Sequence, residues 1–180
     1  MTQSIEKPEA KPAGRRLTPT PVRSLDELVG AHLLALRDLY SAGKPTDPAE
    51  LGDAPRGRLL SLELGAQAYM LTRPALSFLA RDWLPWKGKE FDHGGNSGTN
   101  LVGNRRVLRF RAEVGPSELD GLPTLVLRYG EKAFRNPWPV SAVRDELRTV
   151  ADGIAIGPAM LERRSGPIQL LWFGLERERS

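Results

Sequence analysis

The sequence predicts an α+β protein in which an N-terminal helical segment precedes an antiparallel β-barrel or strongly bent sheet. Three observations carry that expectation. A capping box at Ser24 opens a run of apolar residues at helical spacing. After Trp86 the rhythm shortens to segments of strand length, and glycine, asparagine and proline break these at intervals of roughly 8–12 residues.

The helix comes first. In Ser24-Leu25-Asp26-Glu27 the hydroxyl and the Glu27 carboxylate can each satisfy an orphan N–H of a first turn. Leu25, Leu28, Val29, His32, Leu33, Leu36, Leu39 and Tyr40 then share one face, and Gly43 ends the run. Residues 44–58 form a Pro- and Gly-punctuated connection with room for a short helical turn. Leu59 to Leu71 reads equally as helix or strand, while Pro74 suits the first position of a helix holding Leu76, Phe78 and Leu79. Residues 1–23 have almost no apolar side chain able to seed a core and read as a disordered basic tail. The expected division is tail 1–23, helical segment 24–84 packed on the sheet, and β domain 85–180.

The strands are expected at Trp86–Asp92, Thr99–Val102, Arg106–Val114, Thr124–Tyr129, Ser141–Val150, Gly153–Leu161 and Pro167–Arg177. Alternation is clearest in the third, where Leu108, Phe110, Ala112 and Val114 oppose Arg109, Arg111 and Glu113. Arg144-Asp145-Glu146-Leu147-Arg148 fits either a helix or a strand. Loop economy favours the strand, because Ala151-Asp152-Gly153 makes a good hairpin connection. A strand sorts its charges by parity: Arg144, Glu146 and Arg148 share one face, and Asp145 joins Val143 and Leu147 on the other.

Composition narrows the function. A chain of 180 residues with 40% hydrophobic and 27% charged residues can bury a core, and it has no cysteine. Disulfides, thiolate metal sites and a cysteine nucleophile are excluded, in keeping with a cytoplasmic location. No apolar run approaches the roughly 18–20 residues of a membrane span, and MTQSIEKPEAKPAGRR lacks the apolar centre of a secretory signal. The net charge is +4, but Lys7, Lys11, Arg15, Arg16 and Arg23 against Glu6 and Glu9 place three of those four charges in the tail. The remainder is nearly neutral overall, so no nucleic-acid partner is expected.

Several segments together resemble the small bacterial lipocalin-like (calycin) proteins. They are Trp86-Lys87-Gly88-Lys89-Glu90-Phe91-Asp92, Leu108-Arg109-Phe110, the Asp120-Gly121-Leu122-Pro123 turn, the Arg144–Arg148 run, and the closing Trp172-Phe173-Gly174-Leu175-Glu176-Arg177. The likeness spans residues 85–177, although Leu84-Pro85 stands where the family's Gly-x-Trp opening would begin. It implies an antiparallel barrel whose interior holds one small apolar ligand.

Motifs for chemistry are few. His32 and His93 are the only histidines. His32 is expected in the core or at an interface and His93 in a turn, which argues against a multi-imidazole metal site. The Gly94–Asn100 stretch lacks the Gly-Lys-Ser/Thr ending of a phosphate loop and reads as a hairpin; no cofactor motif is present. The candidate ligand-binding residues are the aromatics Trp86, Phe110, Trp138 and Trp172, with Lys89 beside the first. Arg144, Glu146 and Arg148 join them if their row turns inward, with Arg128 and Tyr129 across the barrel. The leading expectation is non-catalytic binding of a small apolar or amphipathic molecule. A second is a small acid/base enzyme using Asp145 or Glu146 with neighbouring arginines. A third makes the apolar helix 24–42 a docking element for a partner or a second copy in a homodimer.

Overall fold

The computed structural model describes residues 22–62 and 86–178. Nine strands form one antiparallel sheet, and eight of them close on themselves. The barrel strands are β2 (Arg56–Leu62), β3 (Trp86–Phe91), β4 (Ser97–Val102), β5 (Arg105–Pro116), β6 (Pro123–Arg128), β7 (Val143–Ala151), β8 (Ile154–Leu161) and β9 (Ile168–Glu176). Each pairs with its sequence neighbour, and β2 closes the ring on β9 through Arg56↔Glu176 to Leu62↔Leu171. β1 (Lys44–Pro45) adds two pairs to the far end of β7. Closure leaves no exposed sheet edge around the ring.

The expected α+β barrel is therefore present, and the Arg144–Arg148 run is a strand. The undecided stretch at Leu59 is also strand as far as Leu62, so the barrel begins at Arg56, before the Trp86 rhythm change. Residues 1–21 of the expected tail, the rest of the 59–71 stretch and the helix expected from Pro74 lie outside the described residues; Val22, at the end of that tail, packs against the outer core, and Arg23 N donates to the Glu27 carboxylate.

The N-terminal helix differs from its sequence expectation. It is a 3-10 turn at Leu25–Leu28 and a separate helix, α1, at Leu33–Ser41. Gly30 takes φ +75 between them and donates its N–H to Leu60 O at 2.8 Å, an interaction a continuous helix would forbid. His32 consequently leaves the apolar face. It is exposed at the N-cap of α1, where its Nδ1 accepts from Leu34 N. The apolar stripe still functions as read: Leu25, Leu36 and Tyr40 pack on the outside of the barrel against Leu60, Ile154, Ile156 and Trp172.

The barrel interior is a second core, in which Phe110, Leu127, Leu147, Phe173 and Leu175 meet. One end is plugged by α2 (Pro48–Leu51). Asp47 caps it by accepting from Ala49 N, Pro48 sits where no helix donor is needed, and the turn delivers Leu51, 1% exposed, into the interior. Phe91 N donates to Asp53 O at 2.9 Å and ties the plug to β3.

Candidate functional site

β7 sorts its side chains as parity requires, and the two faces meet different surroundings. Arg144, Glu146 and Arg148 lie on the outer face, yet all are buried, because α1 and the β5–β6 connection cover them. Glu146 accepts from Tyr40 Oη (2.8 Å), Ser117 Oγ (2.6 Å), Glu118 N (2.9 Å) and Arg144 Nε (2.9 Å). Arg148 forms a bidentate pair with Asp120, both bonds 2.7 Å, and lies 4.3 Å from the Tyr40 ring centroid. Its hydrogen bonds hold the Asp120 carboxyl below its ordinary range. The outer trio is thus a fully partnered seam joining the helical segment to the barrel.

Asp145 points the other way. Its Oδ2 accepts from Lys89 Nζ at 2.8 Å and from Tyr129 Oη at 2.7 Å inside the barrel. Lys89 completes its three donor bonds with Tyr129 Oη (2.6 Å) and Asn100 Oδ1 (3.0 Å), and Trp86 Nε1 donates to that same amide oxygen (3.1 Å). The rings of Trp86, Phe110, Tyr129 and Phe173 surround Nζ at 5.1–5.8 Å. Burial pushes the Lys89 ammonium below its usual range, opposed by Asp145, and burial likewise holds the Tyr129 phenol well above its own. Asp145 Oδ1 is the exception: it is buried and has no hydrogen-bond partner. The space bordered by Asn100, Leu108, Tyr129, Val140 and Val143 is about 10 Å³, room for one water and nothing larger.

The large recess is elsewhere, at the mouth beside α2. It is an open concavity of about 660 Å³ between residues 45–53, the β3–β4 hairpin and β5. Phe91, Ala112 and Leu125, which belong to the interior core, form its apolar floor. Asp47, Asp53, Asp92, His93, Asn96 and Glu113 supply the polar wall, and no lysine or arginine lines it. Asp92 takes a hydrogen bond from Ser97 Oγ, and Gly95, at φ +69, turns the hairpin back onto Pro48.

Of the ten residues proposed from sequence, Trp86, Lys89, Phe110 and Tyr129 come together inside the barrel. Arg144, Glu146 and Arg148 form the outer seam, and Trp172 packs beneath Tyr40 with ring centroids 5.6 Å apart. Arg128 is outside, paired with Glu162 at 3.0 Å, and Trp138 is 68% exposed in the β6–β7 connection. Asn100 has no sequence signal, because a lone amide in a short strand carries no pattern of its own. Asp145 was separable by parity, but the direction of the parity was not. The recess draws on segments far apart in the chain, and only its hairpin is visible as a turn signal.

No family model matches the chain, and no curated protein matches it in sequence. A crystal structure of a protein from Thermomonospora curvata is similar at a TM-score of 0.47 and 16% identity, over 83% of this chain and 89% of that one.

Proposed function

We propose that the protein is a non-catalytic binder of a small amphipathic molecule, seated in the recess at the α2 end of the barrel. The observation that carries this reading is the recess itself. A concavity of about 660 Å³ over an apolar floor, with polar groups confined to its wall, has the size and lining of a small-molecule site. The closed eight-stranded barrel and the sequence resemblance to lipocalin-like proteins support the same reading by analogy of fold. The charge inventory favours a neutral or cationic amphiphile: Asp92 and Glu113 are paired with arginines outside the recess, but Asp47 and Asp53 form no ion pair among the described residues and no basic side chain lines the wall.

The other two readings find less support. Glu146 is enclosed by four donors, and Asp145 is 1% exposed and lines neither the recess nor the small interior space, so neither reaches a substrate in this conformation. The apolar stripe of the helical segment is already covered by the barrel. Thermal-shift screening tests the proposal with neutral phenols, amphiphilic amines and fatty acids. Neutral or cationic members should raise the melting temperature, and Ala49→Trp, which fills the recess from its exposed rim, should abolish the shift. A shift that persists undiminished in Ala49→Trp, or one confined to fatty-acid anions, would overturn the assignment.

A further inference from the structure

The end of the barrel opposite α2 has a different chemistry. In an up-and-down barrel alternate connections share an end, so the β4–β5 turn, the β6–β7 connection and the β8–β9 turn lie together. They and their strand ends carry Arg105, Arg106, Lys132, Arg135, Arg163 and Arg164, all exposed, against Glu131 and Glu162. Both glutamates are already paired to strand arginines, Glu131 with Arg111 at 3.2 Å and Glu162 with Arg128 at 3.0 Å. Arg106 pairs with Glu90. Arg105, Lys132, Arg135, Arg163 and Arg164 form no ion pair among the described residues, so their charge is uncompensated.

Trp138 lies on the same β6–β7 connection as Lys132 and Arg135. It is 68% exposed, although its connection is firmly anchored: Asn136 Nδ2 donates to Arg109 O at 2.7 Å and Tyr129 O at 2.9 Å, and Val140 is 2% exposed. An indole presented on an anchored loop, at the barrel end that carries the unpaired cations, has the amphipathic character of side chains at a membrane–water interface.

We propose that this end of the barrel docks onto an anionic lipid surface, with Trp138 entering the headgroup region and the surrounding cations meeting lipid phosphates. Charge complementarity selects an anionic partner, and geometry selects a flat one. The cations come from three separate connections spread around a rim, which faces a plane, whereas a single-stranded nucleic acid is tracked by a groove with successive aromatic platforms. Trp138 is the only exposed aromatic among the described residues. At the α2 end Asp92, Asp120 and Asp152 are paired with Arg109, Arg148 and Arg177, and Asp47 and Asp53 form no ion pair among the described residues, so the cation-rich end is the one that would turn to such a surface, leaving the recess facing away from it.

Sedimentation with mixed phosphatidylglycerol–phosphatidylcholine vesicles tests this with the full chain. Binding should exceed that to phosphatidylcholine alone, weaken with salt, and fall roughly tenfold or more in Arg163→Glu/Arg164→Glu. Vesicles should also blue-shift the fluorescence, and Trp138→Phe should remove that shift. All three substitutions lie at exposed positions, and circular dichroism melting checks the fold. The basic tail is the competing source of charge, so a variant with Lys7, Lys11, Arg15 and Arg16 changed to serine is the control. The proposal is overturned if vesicles do not bind, if the charge reversal leaves binding unchanged, if only the tail variant loses it, or if the same arginines retain an oligonucleotide and not vesicles.

Discussion

Asp145 has one oxygen in two hydrogen bonds and the other in none, at 1% exposure, and this unequal pair of oxygens sets the energetics of the barrel interior. A buried ion pair recovers the cost of desolvating its charges only through good geometry, and removing one partner strands the other. Lys89→Met should cost about 3–5 kcal/mol in urea unfolding, because Asp145 then keeps a buried charge with only Tyr129 to stabilise it. The double variant Lys89→Met/Asp145→Leu should recover most of that loss, since an apolar pair of similar volume suits the Phe110, Leu127 and Phe173 surroundings. Asp120 makes the complementary prediction about pH. Its folded pKa is depressed by Arg148, so between that value and about 4 the unfolded chain binds more protons and stability rises with pH. The stabilisation is fully present above the unfolded value and lost as pH falls through the folded one. Acid unfolding of Asp120→Asn should show a shallower loss below about pH 4 than the unaltered protein.

At the scale of elements, β7 shows how much was legible. Its strand character followed from the Ala151-Asp152-Gly153 turn, and its separation of Asp145 from Arg144, Glu146 and Arg148 followed from a period of two. Which face points inward was not legible, because both faces are buried once α1 and residues 117–122 cover the outside. The same cover explains Trp172, whose aromatic character alone does not distinguish a barrel interior from a helix-covered exterior. The apolar spacing joins the 3-10 turn and α1 into one helix because the break at Gly30 serves a contact with Leu60, and local spacing cannot reveal a tertiary partner. Deleting residues 1–43 should therefore expose Ile154, Ile156 and Trp172 and yield aggregated, dye-binding protein, whereas a soluble remainder would show the cover to be dispensable. β7 and β8 also meet unusually closely. A Cβ at Gly157 would stand 1.7 Å from Glu146 O, while one at Gly94 meets nothing nearer than 3.6 Å. Gly157→Ala should lose cooperative thermal unfolding and Gly94→Ala should retain it, as read by circular dichroism.

For the molecule as a whole, the same sheet yields two ends of opposite character. The α2 end closes over apolar floor residues and carries aspartates of which Asp92, Asp120 and Asp152 are paired with arginines, and the other end carries the unpaired cations and Trp138. The sequence total of +4 conceals this, since charges of both signs cancel along the chain while the barrel sorts them in space. The candidate recess was equally hidden, because it is assembled from α2, one hairpin and β5 only when the barrel closes. The most direct test is therefore positional. Backbone amide shifts should be followed by NMR while the amphiphile giving the largest thermal shift is titrated. Perturbations should cluster at Asp47–Asp53, Asp92–Asn96 and Ala112–Val114, leaving Trp86 and the Lys89 environment unmoved. Perturbations centred on Lys89, Asn100 and Tyr129, with the recess silent, would place the ligand in the barrel interior and contradict the account.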